Sequence, residues 1–117
     1  MTLLSCALGL RQPKLDPDLR AFFREARPWA FILFREACVS RVQVRALCDE
    51  LREAAGHDAI VWIDQEGGRV ARLKPPEWPT WPACAAYGEM YAKDEAKGLE
   101  ASHLGHRLIA HELKSMG

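Results

Sequence analysis

Three short apolar runs, at residues 3–10, 30–34 and 59–63, alternate along the sequence with two stretches whose apolar residues recur every three or four positions. A run this short suits a buried strand, whereas i, i+3, i+4 spacing is what an amphipathic helix needs. The alternation therefore favours the order strand, helix, strand, helix, strand. Strands joined by helices in this way pair in parallel through right-handed crossovers, so the fold class is α/β.

The element ends are marked by residues with local reasons to be there. Asp16 is placed to cap a first helix, Pro17 suits its first turn, Leu19, Phe22, Phe23 and Ala26 form its apolar stripe, and Pro28 ends it. Ser40 and Gln43 have the spacing of a capping box. Val44, Leu47, Leu51 and Ala54 or Ala55 then share one face until Gly56 stops the second helix. The third strand ends at Asp64 with a glycine-rich loop behind it. Between residues 74 and 82 the prolines and tryptophans predict irregular structure. A last helix from about residue 95 to 116 would carry a polar stripe of Glu100, His103, Arg107, His111 and Lys114 opposite Ala101, Leu104, Leu108 and Leu113.

Residues 1–117 read as one unit, and with 49% apolar residues it can bury a modest core. Three parallel strands nevertheless leave two unpaired edges, so a fourth strand is expected beyond Gly117. The 16 basic and 16 acidic residues cancel, which argues against nucleic acid or an anionic membrane as partner. Residues 3–10 lack the basic flank of a signal peptide, and no apolar run approaches the roughly 20 residues of a membrane span. Cys6, Cys38, Cys48 and Cys84 are scattered without a C-x-x-C pair and read as reduced, mostly buried thiols of a cytoplasmic protein.

Ligands of parallel α/β folds gather at the carboxyl ends of strands, and Asp64 stands at such an end. From Asp64 to Arg72 the sequence D-Q-E-G-G-R-V-A-R sets two carboxylates, an amide and two guanidiniums beside two glycines that let backbone approach a ligand. A carboxylate accepting hydrogen bonds from vicinal hydroxyls, backed by arginine donors, is a common way to hold a sugar ring. The plainer reading is a Glu66–Arg69 salt bridge that merely folds the loop. Asp64 and Glu66 make a poor catalytic pair. Two residues apart on a strand they stand roughly 6.5 to 7 Å apart, beyond the roughly 5 to 5.5 Å of retaining glycosidases. A phosphate loop is disfavoured, because neither G-x-G-x-x-G nor G-K-[ST] is present.

The run D-Q-E-G-G-R-V-A-R-L behind an apolar strand, with F-I-L-F before a capped helix and a proline-rich stretch after it, resembles the bacterial β-N-acetylhexosaminidases of glycoside hydrolase family 3, of the peptidoglycan-recycling type. The resemblance runs from about Leu8 to the end. It implies the first part of a (β/α)8 TIM barrel with parallel strands, truncated after about three of them, and about the first third of a family member. It also implies substrate contacts from Asp64 and Arg72, with Glu66, Arg69 and the glycines in structural roles. The family's lysine–histidine substrate pair, acid/base histidine and nucleophilic aspartate would all follow Gly117, so no catalytic residue is assigned in this chain. The activity implied is a retaining hydrolysis that removes terminal β-linked N-acetylglucosamine from a muropeptide-type saccharide, without metal or organic cofactor. Two departures touch the second strand: Arg35, Glu36 and Ala37 stand where the family continues with Arg-Asn, and Ala30 replaces a usual glycine.

Other readings are weaker on the same residues. His103, His106 and His111 have no carboxylate to complete a metal-ligand set and read as solvated or half-buried. Trp78 and Trp81 could stack on a sugar face but suit the packing of a rigid loop. Pro76, Pro79 and Pro82, with Lys74 upstream, have the spacing of a polyproline peptide ligand over residues 76–82. A fragment without activity of its own is the remaining alternative. Taken alone, three barrel strands should leave apolar faces in water and make the chain prone to aggregate.

Overall fold

The computed structural model describes residues 2–117. Strands β1 (Leu4–Leu10), β2 (Pro28–Leu33) and β3 (Ile60–Ile63) form one parallel sheet in that spatial order, with α1 (Pro17–Ala26) and α2 (Arg41–Ala55) as the connections. The alternation of apolar runs and amphipathic stretches is thus realised as read. After β3 the chain makes a small hairpin, β4 (Gln65–Gly67) and β5 (Val70–Ala71), and then two helices, α3 (Cys84–Lys93) and α4 (Glu95–Ser115).

The helix ends follow the local chemistry. Asp16 accepts the Leu19 N–H at 2.8 Å, and this bond, with one from Gln12, holds its carboxyl below the usual carboxylate range. Arg27, at φ 47°, closes α1 in the left-handed region by donating its N–H to the Phe23 carbonyl. The Ser40 and Gln43 capping box forms in both directions, and Gly56 at φ 70° ends α2. Gln43 also donates to the carbonyls of Pro13 and Ala37, which ties the start of α2 to the loops after β1 and β2.

One face of the sheet is covered by α1 and α2. Leu10, Phe31 and Leu33 meet Phe23, Val44, Leu47 and Leu51, and the Phe23 and Phe31 rings pack edge to face at 4.9 Å. The opposite face stays open, with Ile60 and Trp62 exposed by 42% and 43%. The overall dimensions agree with that openness. The radius of gyration is 16.6 Å, where a compact domain of this length would have about 13 Å.

The structure moves several sequence-based boundaries. β2 starts at Pro28 and ends at Leu33, so Pro28 opens the strand at a first position where a missing N–H is tolerated. Phe22, placed on the inner stripe of α1, is exposed. The inner line of α4 also differs from its apolar stripe: Leu104 and Leu108 are exposed, while Gly98, Ile109 and Met116 are buried. The cause is α3, which lies so close that a Cβ at Gly98 would strike the Tyr91 backbone and one at Gly105 the Tyr87 hydroxyl. Among the described residues, no helix is long and apolar enough to cross a membrane.

Candidate functional site at the carboxyl ends of the strands

The loop after β3 is built around a buried amide. Gln65 Oε1 accepts the N–H of Arg72 at 2.8 Å and of Leu73 at 3.0 Å, while Nε2 donates to the Leu73 carbonyl at 3.2 Å. Three bonds from one side chain fold residues 65–73 back on themselves. Gly67 and Gly68 make the turn possible, at φ 88° and 59°. They also allow close contact: a Cβ on Gly67 would strike the Pro82 carbonyl, and the Gly68 N–H donates to the Trp81 carbonyl at 2.9 Å. The glycines therefore serve the backbone turn and its brace.

The result at the end of β3 is an ion pair. Arg72 Nη2 lies 3.2 Å from Asp64 Oδ2, with the Asp64 side chain 45% exposed and that of Arg72 27% exposed. Arg72 Nε is buried with no hydrogen-bond partner among the described residues. The two residues that the sequence singled out are brought together, with a carboxylate able to accept from ligand hydroxyls and a guanidinium with donors to spare.

A second ion pair stands on the same rim and carried no signal in the sequence reading. Arg11, just past β1, reaches Glu36, in the 3-10 turn Arg35–Ala37 after β2, at 3.1 Å. Its guanidinium also lies over the Phe34 ring at 4.1 Å, and that ring occupies the space left by Gly9, where a Cβ would clash. The Glu36 carboxyl is held below its ordinary range, first by a hydrogen bond from backbone at its own position and then by the positive charges of Arg11 and Arg72. Arg35 turns away and donates to the Cys38 carbonyl. The loop after β2 thus contributes Glu36 to the rim.

The other candidate residues fall elsewhere. Glu66 and Arg69 are both exposed and form no ion pair with each other among the described residues, so the loop is folded by Gln65 and not by that salt bridge. Trp78 is buried in the main core with Arg41 over its ring at 5.9 Å, and Trp81 is half-buried. Residues 76–82 do not form a continuous polyproline helix. The chain turns at residues 75–77, the Trp78 N–H donates to the Lys74 carbonyl, and Trp78 is drawn into the core. His103 and His111 are exposed. Cys38 and Cys48 are buried, Cys6 is half-buried and Cys84 is exposed, so only two of the four thiols meet the expectation of burial.

No family model matches the chain. A curated protein named beta-hexosaminidase from Thioalkalivibrio sulfidiphilus is 31% identical over 117 residues, which is 100% of this chain and 33% of that protein. Over its whole length the chain is similar to part of that beta-hexosaminidase. It spans about a third of the length of the curated beta-hexosaminidases it matches. Among solved structures, NagZ from Neisseria gonorrhoeae in complex with N-trifluoroacetyl-D-glucosamine shares the fold, with a TM-score of 0.88 at 23% identity over 98% of this chain and 34% of that one. A glycoside hydrolase family 3 beta-N-acetylglucosaminidase from Paenibacillus sp. str. FPU-7 superposes with a TM-score of 0.73 at 29% identity, over 94% of this chain and 20% of that one.

Proposed function

We propose that these residues form the first three strands of a (β/α)8 barrel belonging to a retaining glycoside hydrolase, which removes terminal β-linked N-acetylglucosamine from peptidoglycan-derived saccharides in the cytoplasm. The observation that carries the reading is the Asp64–Arg72 pair, half-exposed at the carboxyl end of β3 and locked in place by Gln65. Barrel enzymes assemble their sites from such strand ends. The parallel order β1, β2, β3 and the open face bearing Ile60 and Trp62 support the barrel part of the proposal. The named relatives and the solved neighbour holding an N-acetylglucosamine analogue support the substrate class.

In this reading Asp64 accepts hydrogen bonds from two ring hydroxyls of the terminal sugar, and Arg72 both orients that carboxylate and donates to the saccharide. The nucleophile and the acid/base group come from outside these 117 residues. No metal or organic cofactor enters the chemistry. The 117-residue chain should release no nitrophenol from 4-nitrophenyl N-acetyl-β-D-glucosaminide above background. In a longer protein that carries the chain and hydrolyses this substrate, Asp64→Ala should lower kcat/KM by about tenfold or more, as expected for the loss of a charged hydrogen-bonding group worth roughly 1.5 to 3 kcal/mol. Turnover by the short chain that disappears in Asp64→Ala, or an unchanged kcat/KM in the longer protein, would overturn the assignment.

A further inference from the structure

Outside the rim, one corner of the molecule pairs a nucleophile with a base. Cys84, the first residue of α3, is exposed, and its Sγ lies 3.9 Å from Nε2 of His106 on α4. The other ring nitrogen, Nδ1, lies 2.7 Å from the Ser102 carbonyl oxygen. The Ser102 hydroxyl also lies near Nδ1, at 3.4 Å, but the carbonyl is much closer and can only accept, so the proton of the neutral ring sits on Nδ1 and leaves Nε2 as an acceptor facing the thiol. The Tyr87 ring, 5.8 Å from the imidazole between centroids, flanks the ring. Nucleophile, base and a third group that fixes the base's tautomer are the parts of an activated thiol. Cys84 Sγ also lies 3.7 Å from the Glu66 carbonyl, so the thiol proton faces two acceptors.

We infer that Cys84 is a reactive thiol, activated by His106, which undergoes thiol–disulfide exchange with low-molecular-weight disulfides. His106 Nε2 takes the thiol proton, the sulfur attacks one sulfur of the disulfide, and the S–S bond breaks as the new Cys84 mixed disulfide forms. The departing thiolate then takes the proton back from His106. One disulfide is consumed, one mixed disulfide and one free thiol are produced, and excess thiol reverses the step. Among the described residues no cluster of three or more His, Cys, Asp or Glu side chains is placed to hold a metal ion, so the pair is read as a thiol and its base and not as metal ligands. The remaining thiols lack this setting. Cys38 and Cys48 are buried, and burial pushes both thiols up, that of Cys38 to about 11.

The test is the rate of mixed-disulfide formation with dithiodipyridine at neutral pH on the whole chain, each cysteine followed by peptide mass mapping. Cys84 should react about tenfold faster than Cys6, and His106→Gln should slow Cys84 about tenfold while leaving Cys6 unchanged. Faster labelling of Cys38 and Cys48 would reveal an unfolded variant. In that event the same arm is read on the parent chain after its histidines are carbethoxylated, where Cys84 should again slow. A Cys84 rate no higher than that of Cys6, or one indifferent to loss of the imidazole in a chain whose buried thiols stay protected, would overturn the inference.

Discussion

The Oε1 atom of Gln65 stands 2.8 Å from the backbone nitrogen of Arg72, and the same oxygen takes the next N–H along. The loop that carries Arg72 to Asp64 is therefore positioned by an uncharged, buried side chain. Gln65→Ala removes three hydrogen bonds and leaves buried backbone groups unpaired, at a cost of about 2 to 4 kcal/mol. Urea unfolding of the variant beside the parent, both in a longer protein that carries the chain and under matched conditions, should show that loss. A difference below about 0.5 kcal/mol would mean that the loop holds its shape without the amide.

The sheet and α2 were legible because each had a local signal, apolar run length for the strands and the Ser40 and Gln43 caps for the helix. The charge-rich segment at a strand end drew attention to Asp64 and, through the family resemblance, to Arg72, but gave no sign that the two would pair with each other. The Gln65 clamp was not legible, since one glutamine among charged neighbours gives no sign of being buried. The Arg11–Glu36 pair joins residues 25 apart that only the parallel register brings to one rim. The rotation of α4 was missed for a related reason. Apolar periodicity follows large side chains, whereas Gly98 and Gly105 mark the close approach of α3 by having none.

That approach separates two glycines of the helical pair. Gly98→Ala forces a methyl group against the Tyr91 backbone and should cost about 1 to 3 kcal/mol. Gly88→Ala, on α3 with nothing within 4 Å of the new Cβ, should instead stabilise the chain by about 0.5 to 1 kcal/mol. Thermal unfolding of the two single variants, in a longer protein that carries the chain, gives opposite shifts in Tm if the packing is as described. Equal shifts would refute it.

Cys38 offers a test in alkaline solution. Its thiol ordinarily titrates at 9.0, and burial raises it to about 11 in the folded chain. Between those values the unfolded chain has released the proton and the folded chain still holds it, so stability falls as pH rises through this window. The loss is about 2 to 3 kcal/mol once pH reaches 11. In a longer protein that carries the chain, Cys38→Ala should flatten the slope of unfolding free energy against pH between 9 and 11 relative to the parent. Identical slopes would place the thiol in contact with water.

The open sheet face predicts association. Even a few hundred Å² of uncovered apolar surface, at about 25 cal/mol per Å², forfeits on the order of 5 to 10 kcal/mol, comparable to the whole stability of a domain. The purified chain should scatter light as oligomers or aggregates, and Ile60→Thr with Trp62→Lys should shift it toward monomer. A monodisperse parent chain with a sharp cooperative transition would show a self-sufficient domain and remove the support for the barrel-fragment proposal.

The 21 residues of α4 extend about 31 Å, and two of its side chains are committed to different neighbours. His106 faces Cys84 at the corner beside the hairpin, while Glu112 is held by Arg41 of α2. Six positions separate them, which sets them about 120° apart around the axis at 3.6 residues per turn. Turning the helix by one residue would take both from their partners at once. The two contacts act as teeth on a key and fix the rotational phase of α4, so the imidazole is aimed at the thiol with the help of an arginine on another helix.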